Sequence, residues 1–434
     1  MKKTLILVLL TLFLYSCGGV DTKGYNILDA HLKSHDCPRA VDYLVKNKNK
    51  YGVNQELIYH LDNAMVNMEC RNFDSGNKFF HSAETIAENL YTTSISKEAA
   101  SYLVNDYTIP YGGEDFERAL INMFSAINYL MLNKKDDALV ECRRLDALLS
   151  VYNEKYTQNK NVYKEDAFGR YLSAMIYEAV GQFDDAYIDY DKSLKTYRDY
   201  KKAYQTPIPI ALIQDILRSA SKTGRINESE AIKKEFSYVA VLDDSGTKNL
   251  GKLVFIHFNG QSPIKTSSKI YVPSPSGPIT LAFPSYISNP PDCQNTIFYA
   301  EADDKYIGSK AELVEDINQI AIKNLEDRKG RIIAKGLTRA AVKELALHAA
   351  TSSIKNENLR QFVRIIGNVV NTQIEAADVR SWRTMPGEIS MGRIYVPEGT
   401  HNLYVQQCNG GKKLLETIDI KKGETKFVFF ESIY

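Results

Sequence analysis

Phe168–Tyr200, FGRYLSAMIYEAVGQFDDAYIDYDKSLKTYRDY, decides the architecture of the first half of the chain. Tyr171, Ala174, Met175 and Glu178 recur at three- and four-residue intervals, the spacing of one helical face. Gly181 makes a turn, and Ala186, Tyr190 and Ser193 mark a second helix. Small side chains at Ala174 and Ala186 let two antiparallel helices approach closely, while Tyr177 and Tyr190 fill the gap between them.

Ala174, Tyr177, Gly181, Ala186, Tyr190 and Ser193 resemble the six most informative positions of the tetratricopeptide repeat. The template also fits Ala126, Tyr129, Asn133, Ala138, Cys142 and Leu145, and more loosely Ala64, Asn67, Arg71, Gly76, Phe80 and Ala83. The offsets, 62 and 48 residues, exceed the family period of ~34, so extended helices or loops such as the polar run 151–164 separate the units. A further pair, Ile208–Ser221 and Asn227–Phe236 around Gly224, reads as a cap. The resulting expectation is a helical repeat domain over 26–236, with a generic helical bundle as the alternative. The resemblance implies a concave face that includes Met123, Ile127, Tyr171, Met175 and Glu178. Such a face serves either as a groove for a peptide or partner helix, or as a packing surface for another part of the chain.

The second half changes period. Gly251–Phe258 (GKLVFIHF) is an apolar run of strand length, and Ile279–Phe283 and Thr296–Ala300 read as further strands between Pro/Ser-rich loops, giving a β-rich segment over 237–311. An amphipathic helical insertion follows over 312–380. Leu313, Ile317, Ile320, Ala321 and Leu325 mark its first helix, Leu337, Ala341 and Leu345 its second, and Leu359, Phe362, Ile366, Val370 and Ile374 its third. Arg328, Arg331, Lys335, Arg339 and Lys343 form a basic stripe, read as a solvated face or a site for lipid phosphates, cell-wall carboxylates or an acidic partner. Residues 381–434 return to strands, and VPEGTHNLYV with IDIKKGETKFVFF resembles small sandwich modules of the PEGA type. The fold class is therefore α+β: a tetratricopeptide-like array, then a β-rich sandwich-like domain with inserted helices.

The amino terminus gives the compartment. Met1-Lys2-Lys3, an uncharged run from Thr4 to Leu14, and Leu14-Tyr15-Ser16-Cys17 resemble a bacterial lipoprotein signal. Cleavage before Cys17 removes 1–16, leaves a lipidated tether over 17–25, and turns the formal charge of +1 slightly negative. That balance gives no pull toward nucleic acid. Gly18, in place of an acidic residue, points to the outer membrane, with the chain facing the periplasm. No later stretch has the run of apolar residues of a membrane span.

The chemistry is sparse. An oxidising compartment permits disulfides, and Cys37–Cys70 and Cys293–Cys408 are candidate pairs, while Cys142 falls at a helical core position. No metal motif, cofactor loop or small-molecule site is evident. GxSxG, HExxH and GxxxxGK[ST] are absent, so no catalytic residues are assigned. Lys222-Thr223-Gly224 matches the KTG of penicillin-recognising enzymes, with SxxK at Ser75–Lys78 and Ser94–Lys97. Gly224, however, reads as a helix C-cap rather than part of a strand. Glu301, Asp303 and Asp304 read as a solvated turn, and His257 as a lone strand residue.

ALVECRRLD (138–146), GKLVFIHFNGQSPIK (251–265), ITLAFPSY (279–286) and AADVRSWRTMP (376–386) together resemble an uncharacterised family of bacterial lipoproteins. The resemblance spans both halves and implies a common architecture without an established activity. The functional expectation is a non-enzymatic scaffold that holds a protein partner at the envelope. The alternatives are a surface-exposed adhesive lipoprotein and a cell-wall hydrolase.

Overall fold

Among the described residues, ten helices of ten or more residues carry the first half: α1 (Thr22–Lys33), α2 (Cys37–Lys46), α3 (Glu56–Glu69), α4 (Phe73–Ser101), α5 (Asp115–Met131), α6 (Lys135–Lys155), α7 (Ala167–Ala179), α8 (Phe183–Ala203), α9 (Ile210–Lys222) and α10 (Ile226–Glu235). They belong to a computed structural model that describes residues 22–101, 107, 109–155, 163–240, 244–247, 249–273, 279–303, 305–374 and 376–433. Cys17 and the signal-like segment lie outside the described residues, as do Asp304 and the side chains of Ser94 and Lys97.

The helices pair through one recurring turn. His35, Arg71, Asn133, Gly181 and Gly224 have φ between 55° and 83°. The next N–H in each case donates to the carbonyl five residues back: Asp36 to His31, Asn72 to Asn67, Lys134 to Tyr129, Gln182 to Tyr177 and Arg225 to Ala220, at 2.7 to 2.9 Å. This bond, with a left-handed residue before it, is the Schellman closure of a helix. Five positions after each left-handed residue stands a small one, Ala40, Gly76, Ala138, Ala186 or Ser229, and all are buried. At Gly76 a Cβ would meet Asn128 Nδ2 at 2.7 Å and the Ala64 carbonyl at 3.3 Å, so α4 needs glycine to touch its neighbours. Five hairpins with one turn and one small-residue contact make a tetratricopeptide-like array.

The array begins earlier than the sequence suggests. α1 starts inside the stretch expected to be tether, and buried Tyr25 donates to Asp62 at 2.7 Å. Tyr25, Leu28 and Leu32 continue the helical spacing into that segment, and with Ala40, Leu44 and Val66 they form a small core of their own. His35 hid this first hairpin, because a histidine does not signal a left-handed turn as glycine does.

The β-rich half is a two-sheet sandwich. The first sheet orders β10 (Thr425–Ser432), β1 (Gly251–Gln261), β7 (Pro386–Val396) and β6 (Glu312–Asp316), with β1 parallel to β10 and antiparallel to β7. The second orders β5 (Lys305–Lys310), β4 (Thr296–Ala302), β8 (Gly399–Gln407) and β9 (Lys413–Ile420). Leu253, Phe255, Val428 and Phe430 pack on Phe298, Leu403 and Val405 of the second sheet. Val254, Ile256, Phe258 and Phe429, pointing the other way, join the core of the helical array. β1 is thus buried on both faces, which is why it reads as a continuous apolar run. The molecule has three layers: helices, sheet, sheet.

This layering redraws the expected boundaries. β6 falls in the segment expected to be helical insertion, yet it is an edge strand of the first sheet. The PEGA-like tail is also divided, because β8 and β9 pair in one sheet while β10 joins the other beside β1. Residues 251–261 and 425–432 are therefore parts of one sheet rather than of separate modules. From this body projects an arm made of α11 (Ile317–Thr351), α12 (Glu357–Ile374) and the hairpin β2 (Ile264–Val272)–β3 (Ile279–Ile287). α11 fuses the first two helices expected there, since neither Gly330 nor Gly336 is enough to break it.

Candidate functional site

The concave face of the array is filled by the chain itself. Met123, Ile127, Tyr171 and Met175 are buried in one cluster with Val254, Ile256, Phe258, Met391 and Phe429. Phe124 meets Phe258 edge-on at 5.2 Å and Trp382 at 5.5 Å. A groove for an external peptide along these four residues is therefore corrected to a packing surface for the first sheet. A strand that must bury both of its faces needs such a cover.

The seam between array and sheet also carries buried ion pairs and hydrogen bonds. Glu178 accepts from Arg218 at 2.6 Å, Lys252 at 2.8 Å and Tyr190 at 2.8 Å. Asp215 pairs with Arg218 at 2.7 Å, accepts from Tyr171 at 2.7 Å, and pairs with Arg393 of β7. Glu114, the N-cap of α5, binds Lys265 of β2 and Arg328 of α11. Glu117 accepts from the Tyr111 hydroxyl at 2.6 Å and the Trp382 backbone at 2.8 Å. Asp62 accepts from Tyr25, Tyr51 and Thr384.

Burial alone would raise these carboxyl pKa values, but for Glu114 the facing Arg328 and Lys265, and for Glu178 the facing Lys252 and Arg218, hold them well below the usual range. Burial pushes Asp62 up to about 6 against the pull of its three hydroxyl donors and of Arg383. Matched buried charges of this sort tie the two layers together, since removing one partner leaves the other buried and unpaired. The segment Val379–Met385 completes the seam: Arg380 donates to the Asn54 and Ile109 carbonyls and pairs with Asp378 at 2.7 Å. Trp382 Nε1 donates to Thr384 at 3.0 Å.

An opening remains on the helical layer, where α4, α5 and α6 meet around a cavity of about 540 Å³. Its polar side is built from Glu84, Asn122 and Arg144: Arg144 donates to Glu84 at 3.0 Å, and Asn122 to Glu84 at 2.8 Å and Glu141 at 3.2 Å. Burial raises the Glu141 pKa against the pull of Asn122 and Arg144. Its other side is aromatic, with the Arg118 guanidinium 5.0 Å from the Tyr91 ring centre and 5.2 Å from that of Tyr152. Leu148 and Val151 add an apolar lip. Acceptors, donors and ring faces thus line one opening with a polar and an aromatic side.

The other sequence-derived candidates are dispersed. Arg331 is exposed, Lys335 and Lys343 are half-buried, Arg339 is buried and Arg328 is held by Glu114, so the basic residues do not form one open stripe. Cys37–Cys70 and Cys293–Cys408 are disulfides with Cα separations of 5.6 and 5.9 Å. Cys142 is a buried thiol whose pKa burial pushes up. Lys222-Thr223-Gly224 forms the end of α9 and its turn, with Lys222 Nζ 4.6 Å from the Phe183 ring centre. Glu301 accepts from Asn402 and Tyr404 across the sheet, and no group of metal-ligating side chains occurs among the described residues.

The structure brings together one pair that sequence spacing did not, Ser432 Oγ and His257 Nε2 at 2.7 Å. His257 Nδ1 is buried without a hydrogen-bond partner, and burial draws the ring pKa down to about 3. With no carboxylate to orient it and so weak a base, the pair lacks what nucleophilic catalysis needs. The aromatic ring of Phe298 and that of Phe430 flank the imidazole instead.

No family model matches the chain, and no curated protein matches it. Among solved structures, a crystal structure of MamA is similar at 16% identity with a TM-score of 0.30, covering 48% of this chain and 91% of that one. A Podosopora anserina putative kinesin light chain with nearly identical TPR-like repeats is similar at 12% identity with a TM-score of 0.33, covering 50% of this chain and 93% of that one. Likenesses this slight add no weight; the helical repeat rests on the recurring turn and small-residue contact described above.

Proposed function

We propose that the chain is a lipid-anchored, non-enzymatic scaffold of the bacterial cell envelope that holds a protein partner in the cleft between α4, α5 and α6. The observation that carries this reading is the cleft itself, an amphipathic opening in a helical layer whose concave face is already occupied. The buried ion pairs of the seam favour a stiff body, and a stiff body presents a preformed site at little ordering cost. Attachment through Cys17 at the outer membrane would place this body close to the leaflet, because α1 begins only five residues later. The periplasmic side and a role in envelope biogenesis belong to the same proposal.

A photo-crosslinking residue at Val151, on the lip of the cleft, tests it in cells. The expected result is one specific adduct that disappears in Arg144→Glu, while the same residue placed at Val53, far along the chain, yields none. Adducts identical at both positions, or an adduct indifferent to Arg144→Glu, would remove the cleft as the site. The anchor is tested separately: Cys17→Ser is expected to release the protein from membranes into the soluble fraction.

A further inference from the structure

The arm carries its apolar residues on the wrong side for a helical hairpin. α12 turns Gly367 and Arg364 toward α11: a Cβ on Gly367 would lie 2.5 Å from Leu347 Cδ1, and Arg364 Nε donates to Thr351 at 2.9 Å. Leu359, Phe362, Ile365 and Ile366 face outward, with Phe362 59% and Leu359 52% exposed. Their spacing of three, six and seven residues places them on one side of the helix. α11 adds Leu345, 70% exposed, to the same arm. Single exposed apolar residues are ordinary, but a stripe along one helix marks a contact surface.

What covers the stripe is indicated by charge and composition. Residues 330–374 contain seven Lys or Arg against two Glu. Among the described side chains of α12, Phe362 is the one aromatic on this face. Its root is fixed, since Ile317, Ile320, Ala321 and Leu325 are buried in the body. No helix among the described residues is long and apolar enough to cross a membrane. A cationic hairpin with an outward Leu/Ile/Phe stripe has the chemistry of an interfacial helix, which lies in the headgroup region of anionic lipid.

We infer that the arm lies on an anionic lipid surface, with Phe362, Ile366 and their neighbours dipping between headgroups. This contact is separate from any anchor at Cys17 and from the cleft. It would add a second attachment that orients the body relative to the leaflet, since a single flexible lipidated cysteine leaves rotation free.

The test is Phe362→Trp in the full chain. The native Trp382 is fully buried and provides a constant background. With phosphatidylglycerol-rich vesicles the new indole is expected to shift its emission to shorter wavelength and to be quenched by brominated acyl chains. Both effects should weaken with rising salt and be absent on phosphatidylcholine vesicles. Val53→Trp, at an exposed site elsewhere, should not respond. Emission from Phe362→Trp that stays unchanged on anionic vesicles would overturn the inference, even if the protein cosediments through its amino terminus. A shift that depends on protein concentration and needs no lipid would overturn it in favour of a second copy of the chain. A shift that needs another protein would overturn it in favour of a protein partner.

Discussion

Arg393 of β7 lies against Asp215 and donates to Gln214 at 2.7 Å and to the Ala211 carbonyl, so one side chain ties the sheet to α9. Arg393→Met would leave Asp215 with Arg218 and the Tyr171 hydroxyl, and breaking a buried pair costs about 3 kcal/mol or more. Urea unfolding should show that loss, with much of it recovered in Asp215→Asn/Arg393→Met. Glu388 and Asp316 face each other across β7 and β6, and burial raises them to about 7 and about 6. A raised carboxyl pKa means that the stabilisation is complete below the unfolded value and is lost as pH rises through the folded one. Glu388→Gln should therefore gain thermal stability over the parent at pH 8 and lose that advantage at pH 4. The seam acids were legible only in part: Asp62 sits four residues after Ile58 and three before Met65, a core position. A charged residue in a helix nevertheless reads first as its solvated face.

At the scale of the element, the turn is the unit that repeats. Gly181 has φ of 83°, and a Cβ there would touch nothing, so Gly181→Ala isolates the backbone cost. Left-handed backbone costs an L-residue roughly 1–2 kcal/mol, and urea midpoints should move accordingly. Asn133→Gly, at φ 57°, should be neutral or slightly stabilising by the same measure. Cys37–Cys70 joins α2 to the end of α3 and closes 33 residues. Its loss should cost ~3–4 kcal/mol, with hydrogen exchange rising first in 22–46. The last three hairpins were readable because glycine or asparagine marks their turns and small residues follow at a fixed offset, whereas the second turns on Arg71 and was marked only by Gly76 five positions on. The first was not, since His35 gives no such signal. The cleft was unreadable for another reason: Glu84, Asn122 and Arg144 come from three helices and converge only through the packing of neighbouring hairpins.

For the molecule as a whole, sequence reading separates a helical half from a β half, and packing joins them. GKLVFIHF showed a buried strand, but periodicity cannot say that one of its faces meets helices and the other a second sheet. Only that arrangement explains why Met123, Tyr171 and Met175, at the positions of a binding groove, touch no solvent. The first sheet closes the concave face of the array, and thiol accessibility reads that closure. Met123→Cys and Met175→Cys keep the sites apolar, and Val151→Cys on the cleft serves as an open control. Val151→Cys is expected to react with a thiol reagent at once, while the other two, like the buried thiol of Cys142, should react only at the rate of global unfolding. Rapid labelling of Met123→Cys or Met175→Cys in the folded protein would contradict it.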